Sequence, residues 1–232
     1  MSRITRKELK TDKVALEIEH GITFFEEHKQ EISRYGTIAL AAAVLIFGYI
    51  VYSRHEHTVR EQALASAIRV QEAPIGQAGN GALSFATQEQ KDTETLRVFT
   101  DLQSKYSGSD EGQIAQYYLA CIKADQGKLA EAEKLYADVA EHGNKHYSSL
   151  AKYSLAQIYF ADGRDAQGEK ALRELIDNPT DFVSKEQATI TLVRFIGRKK
   201  PADAKKLLEP LRTQPGAVSQ IALSLMGEYG LN

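Results

Sequence analysis

The chain is short of several residue types. Its 232 residues hold no Trp, one Cys, two Met and five Pro, and neither sign of charge is in excess. A lone cysteine, Cys121, excludes an internal disulfide framework and any multi-cysteine zinc or iron–sulfur site. The absence of Trp and the scarcity of Pro, beside abundant Leu, Ala, Lys and Glu, point away from a β-sandwich or a collagen-like chain. A formal net charge of −2 supplies no basic field, so no nucleic-acid partner is expected. There is no HExxH, no GxSxG and no Walker-type loop. Gly76, Gly79 and Gly81 cluster, but no apolar strand precedes them and no Gly-Lys-Ser/Thr follows, so they read as a linker. His55 and His57 alternate, and a helix would point them apart. His142 and His146 fall at a helix end and the loop after it. Glu131, Glu133 and Glu169 read as acids of solvated faces. No catalytic residue, metal ligand, cofactor or small-molecule substrate is expected, and the chain does not read as an enzyme.

What is present is one long uncharged run. Tyr35 to Tyr52 is 18 residues without a charge. As a helix of about 1.5 Å per residue it reaches roughly 27 Å, enough for a hydrocarbon core of about 30 Å. Ile38, Leu40, Val44, Leu45, Ile46, Phe47, Ile50 and Val51 favour insertion by roughly 0.3–0.6 kcal/mol each. Tyr35, Tyr49 and Tyr52 stand near its ends, and Arg34 and Arg54 bracket it and can snorkel. A tail precedes the run and no small-residue cleavage pattern follows Ser53, so the segment reads as a retained anchor rather than a signal peptide. Seven basic residues lie upstream (Arg3, Arg6, Lys7, Lys10, Lys13, Lys29, Arg34) and three downstream to Gln71 (Arg54, Arg60, Arg69). This bias predicts a cytoplasmic N-terminus, although the nearest flanks alone hold two against three. In the tail, Val14, Ile18, Ile22, Phe25, Lys29 and Ile32 recur at helical spacing, after Thr11 and Asp12 as candidate caps. The stripe suits a short amphipathic helix on a membrane or a partner.

Beyond residue 92 the chain repeats itself. A shift of 36 residues lays Ala115 on Ala151, Tyr117 on Tyr153, Leu119 on Leu155, Ala120 on Ala156 and Ile122 on Ile158. The register continues through Gly127 on Gly163, Ala130 on Ala166, Glu133 on Glu169 and Lys134 on Lys170. A shift of 72 lays Ala132 on Ala204 and Leu135 on Leu207. Two helices, 111–126 and 128–142, turn at Gln126-Gly127; the next pair turns at Asp162-Gly163 and stops at Asn178-Pro179. Ala120, Ala132 and Ala156 are small where helices cross. A hairpin of this kind cannot bury its apolar face alone, so the units stack. Residues 93–106 read as the second helix of an incomplete leading unit, and 217–229 as a lone final helix. Pro210 is expected to kink or end its helix.

These residues resemble the tetratricopeptide repeat family through Leu119-Ala120, Gly127, Ala132 and Tyr136, and again through Leu155-Ala156, Tyr159, Gly163 and Leu172. The pattern departs at Lys123, where an aromatic is missing, and at Gly168, which stands for Ala. A tail with Phe24-Phe25, one span, a helical stalk and degenerate repeats together resemble YfgM-type inner-membrane proteins. That resemblance implies a partner set of the Sec translocon, periplasmic chaperones and their client proteins.

In stacked hairpins the first helices line the concave side. Tyr117 and Cys121 correspond there to Tyr153 and Gln157, with Phe160 one turn further along. These five form the candidate partner-binding groove; packing between neighbouring repeats is the alternative use for them. The sequence thus predicts an all-α chain, a single transmembrane helix followed by a tetratricopeptide-repeat-like solenoid. The expected segments are a cytoplasmic tail 1–34, a span 35–52, a juxtamembrane helix and Gly-rich linker 53–91, and a repeat domain 92–232. The expected location is a bacterial inner membrane, with the C-terminal domain periplasmic. The expected role is a scaffold linking exported proteins to chaperones, or alternatively an envelope scaffold for division or outer-membrane assembly.

Overall fold

The computed structural model describes residues 29–76 and 83–231. The tail stripe through Val14, Ile18, Ile22 and Phe25, the Phe24-Phe25 pair, and Gly79 and Gly81 of the linker lie outside the described residues. Among the described residues there are nine helices and no strand; one isolated bridge joins Ile75 to Phe85. The chain divides into two compact units at Val59/Arg60. The first holds most of α1, Lys29–Glu72. Every side chain from Tyr35 to Tyr52 is exposed, and α1 is long and apolar enough to cross a membrane by length and composition.

The second unit is built of hairpins. Its helices are the last turns of α1, then α2 Gln88–Lys105, α3 Asp110–Asp125, α4 Leu129–His142 and α5 Lys145–Ala161. They continue as α6 Asp165–Asp177, α7 Lys185–Ile196, α8 Pro201–Arg212 and α9 Ala217–Glu228. From α2 onward each helix packs chiefly on its neighbours in sequence. Two kinds of start alternate. Ser109, Asn144 and Ser184 cap α3, α5 and α7 by accepting backbone N–H groups of the first turn. The helices between them, α4 and α6, follow tight glycine turns instead. Gly127 and Gly163 both take φ of 73°, where a Cβ would be strained. Around Gly127, Lys128 N donates to Lys123 O and Gly127 N to Ala124 O. Around Gly163, Arg164 N donates to Tyr159 O and Gly163 N to Phe160 O. Both turns therefore satisfy the last carbonyls in the same way.

The 36-residue register survives as packing. Ala115 and Ala151, and Ala120 and Ala156, are fully buried, as are Ala132 and Ala204. Tyr136, Leu172 and Leu208 occupy one equivalent core position in three units. The departure at Gly168 has a physical cause. A Cβ there would lie 2.7 Å from the Phe160 ring. The positions equivalent to Phe160 and Gly168 carry Ala124 with Ala132 in one unit and Ile196 with Ala204 in the next. The large ring and the missing Cβ thus compensate each other.

Four expectations are corrected. The leading unit is not incomplete: Ala63, Leu64, Ala67 and Ile68 of α1 pack with Phe99 and Leu102 of α2 in one core cluster. The helix bearing Pro210 continues two residues past it to Arg212, because in the last turn the missing N–H removes little of the ladder. Glu133 and Glu169 are not solvated, since the side chains are only 26 % and 16 % exposed. Each pairs with the basic residue opening the next unit's second helix. Arg164 donates to both oxygens of Glu133 at 2.8 and 2.6 Å. Lys200, 36 residues on, donates to Glu169 at 2.7 Å. His146, expected in a loop, lies in the first turn of α5.

Candidate partner-binding cleft

The first helices of consecutive units, α3 and α5, bring two strips of side chains to one cleft. On α3 the strip is Ile114, Tyr117, Cys121 and Ala124, at helical steps of three and four. Tyr147, Ser154, Gln157 and Ala161 make the matching strip on α5, while Leu150 packs against the core of the following unit. These eight strip residues are partly or fully exposed. Tyr117 is the centre of a ring cluster, its centroid 5.4 Å from Tyr147, 5.6 Å from Tyr136 and 5.9 Å from Tyr118. Tyr118 in turn stacks on the buried Phe99 at 4.8 Å. At the outer end Tyr147 meets Phe182, which is 45 % exposed and also lies against His146 in a tilted arrangement, centroids 4.8 Å apart.

At the other end the cleft deepens. An open cavity of about 300 Å³ is lined by Ala124, Leu129, Tyr136, Ser154, Gln157 and Ala161, with Ile158 behind. Tyr136 donates its hydroxyl to Cys121 Sγ at 3.2 Å. Burial pushes the Cys121 thiol up, against the hydrogen bonds from Tyr136 and Tyr117 that lower it; Asp125, one residue past Ala124, raises it further. Burial also raises the Tyr117, Tyr136 and Tyr147 phenols. Cys121 is therefore a protonated thiol at neutral pH, a packing group with no activating cation in its shifts.

The five groove candidates fall in two places. Tyr117, Cys121 and Gln157 belong to the α3–α5 cleft. Tyr153 and Phe160 face the following unit: Tyr153 Oη is 2.8 Å from Thr191 Oγ1 of α7, and Phe160 stacks on Phe195 at 4.1 Å with 5° between the rings. Sequence reasoning missed Tyr136, Tyr147, Ser154 and Ala161. The helical spacing of Tyr147, Ser154, Gln157 and Ala161 was a usable signal. Tyr136 was not recoverable as a lining group, because it sits at the core position of the second helix and only its hydroxyl reaches the cleft. Among the described residues there is no group of three or more His, Cys, Asp or Glu side chains able to hold a metal ion.

A family profile for the tetratricopeptide repeat-like domain matches residues 23–208. No curated protein matches the chain. No solved structure matches it either. The chain belongs to the tetratricopeptide repeat-like family. Such repeats are protein–protein interaction scaffolds and typically have no catalytic activity of their own.

Proposed function

We propose that the protein is a membrane-anchored adaptor. In this reading α1 holds it in the bacterial inner membrane, the tail 1–34 is cytoplasmic, and the repeat domain is periplasmic. The segment 35–52 is the span, 53–91 the stalk and linker, and 92–232 the repeat domain. The observation that carries the reading is the pairing of a helix whose apolar side chains are exposed from Tyr35 to Tyr52 with a repeat unit that offers an open cleft. An exposed apolar stretch of that length is unstable in water, at about 25 cal/mol per Å² of apolar surface. A bilayer removes that cost. The resemblance to YfgM-type proteins supports the Sec translocon, periplasmic chaperones and their clients as partners, met through Tyr117, Cys121 and Gln157.

Crosslinking from the native membrane tests this. A photo-reactive residue replacing Gln157, which is exposed on the cleft, is expected to capture translocon subunits or periplasmic chaperones, identified by mass spectrometry. Capture confined to division or outer-membrane assembly proteins would replace the export role with the envelope-scaffold one.

A further inference from the structure

The turns of the α3–α4, α5–α6 and α7–α8 hairpins lie along one edge of the stack and differ in charge. Residues 122–134, around the first turn, hold three basic and three acidic side chains, and 158–170, around the second, hold two and three. The equivalent stretch 194–206 holds six basic residues and one acid, Asp203. Because the formal net charge is −2, the rest of the chain is net acidic. The third turn is also one residue longer. Residues 197–200 stand where 126–128 and 162–164 stand, and Gly197 takes an ordinary helical φ of −52°. Its Lys199 N and Lys200 N both donate to Ile196 O, at 2.9 and 2.7 Å.

The excess is only partly cancelled inside the domain. Lys199 pairs with Asp165 and Lys200 with Glu169, both on α6. Asp203 is 3.8 Å from Arg173, and Arg194 lines a cavity together with Glu228. Arg198, Lys205 and Lys206 are exposed and make no ion pair among the described residues. Lys205 has a counterpart in each earlier unit. Shifts of 36 and 72 residues lay it on Glu169 and Glu133, the acids that receive Lys200 and Arg164 from the turn that follows each. Past α8 the described residues hold no further turn of this kind, and a cation stands where the acid stood. The ladder of ion pairs ends with its sign reversed.

We propose that Arg198, Lys205 and Lys206 dock a short acidic segment of a partner protein, one with two or three carboxylates within about four residues. Lys205 and Lys206 lie about 6–8 Å along α8 from Pro201, a length that a few extended residues cover. This surface is apart from the α3–α5 cleft and goes beyond the adaptor reading. A large anionic surface is a poorer match, because the net-acidic remainder of the chain would repel it beyond the patch. The exposed large apolar side chain of the stretch, Phe195, is stacked on Phe160, so the patch offers no free anchor for a bilayer interface. A short acidic segment meets the cations alone. Each exposed contact is modest, and together they act as a salt-sensitive attraction.

The test uses the full chain in uncharged detergent and dye-labelled Gly/Ser peptides blocked at both ends, so that no terminal carboxylate is read. One carries three Glu within four central residues, and two others carry Gln or Lys in their place. At low salt the Glu peptide is expected to bind about tenfold tighter than the Gln peptide, and high salt is expected to erase the difference. The triple substitution Arg198→Gln/Lys205→Gln/Lys206→Gln is expected to remove the preference and leave the melting temperature in place. The control Lys128→Gln/Lys134→Gln/Lys170→Gln removes the same net charge from exposed positions beside the other two turns, and is expected to keep the preference. Lys205→Glu alone, which restores the sign of the earlier units, is expected to turn the preference towards the Lys peptide. Equal binding of the Glu and Gln peptides, an equal loss in the control, or a Glu preference retained in Lys205→Glu would each overturn the proposal. Displacement of the Glu peptide by phosphatidylglycerol added to the micelles at equal charge would overturn it in favour of a lipid surface. Crosslinking from Gln157 reads the other cleft, so failure here leaves the adaptor reading standing.

Discussion

At residue scale, Gly168 and Phe160 form a pair whose two members make sense only together. A methyl at 168 would lie within 2.7–2.9 Å of three atoms of the Phe160 ring, and the ring is held in place by its stack on Phe195. Gly168→Ala is therefore expected to overpack the crossing and cost about 1–3 kcal/mol in urea denaturation. Phe160→Leu in the same chain should recover part of that loss, because a narrower side chain leaves room for the methyl. Additive destabilisation by the two would show that the ring is not what excludes the Cβ. The tyrosine cluster makes a pH prediction. Folding raises the acid strength threshold of Cys121, Tyr117, Tyr136 and Tyr147, chiefly by burial. The unfolded chain then holds fewer protons than the folded one above the ordinary thiol and phenol values. Their contribution is intact below about pH 8.5 and is lost as pH rises through the folded values. Chemical stability should fall steadily from about pH 9 upward, and Cys121 should alkylate slowly at pH 8 in the folded chain and readily in urea.

At the scale of elements, the second helix of each repeat starts without a side-chain cap, at Lys128, Arg164 and Lys200. Two of these basic residues reach back to the preceding unit's second helix, Arg164 to Glu133 and Lys200 to Glu169. The residue that opens the second helix thus also links unit to unit. Arg164 further lies over the Tyr159 ring at 4.6 Å. Partly exposed pairs of this kind are modest and screened by salt. Glu169→Gln is expected to lower the melting temperature at low ionic strength, with a smaller difference at high salt. An unchanged difference would assign the loss to packing instead. The hairpins, their glycine turns and their core alanines were legible in the sequence, because each depends on spacing within one unit. Ala120 and Ala156 were foreseen at helix crossings and are fully buried. Replacing either by Leu should cost about 1–3 kcal/mol. What was not legible depends on pairs from different units. The ion pairs of Glu133 and Glu169 span 31 residues, and the pairing of Tyr153 with Thr191 spans 38. A repeat read one unit at a time assigns such residues to solvent or to a groove. The same reason separates the five candidates. Tyr117 and Tyr153 are equivalent in sequence, yet the cavity and its ring cluster lie beside the first and α7 lies beside the second.

At the scale of the whole molecule, the distribution of polarity along the chain carries the argument for location. The uncharged stretch from Tyr35 to Tyr52 is flanked by seven basic residues upstream and three downstream. Basic residues near a span are retained on the cytoplasmic side, and acidic ones count little, so the seven acids of the tail do not offset the bias. The expected arrangement puts Ser2 in the cytoplasm and Gln220 across the membrane. The endogenous thiol of Cys121 is half-buried and held protonated, so it is a poor reporter and is best removed as Cys121→Ser. In that background, Gln220→Cys, at an exposed position on α9, should react with a membrane-impermeant maleimide in spheroplasts. Ser2→Cys should react only after lysis. The converse pattern would reverse the topology, and with it the access of the α3–α5 cleft to exported chains. Reaction of both cysteines before and after lysis alike would take α1 out of the membrane altogether. Its exposed apolar surface would then need a protein partner, and gel filtration without detergent would show the chain as an oligomer or an aggregate.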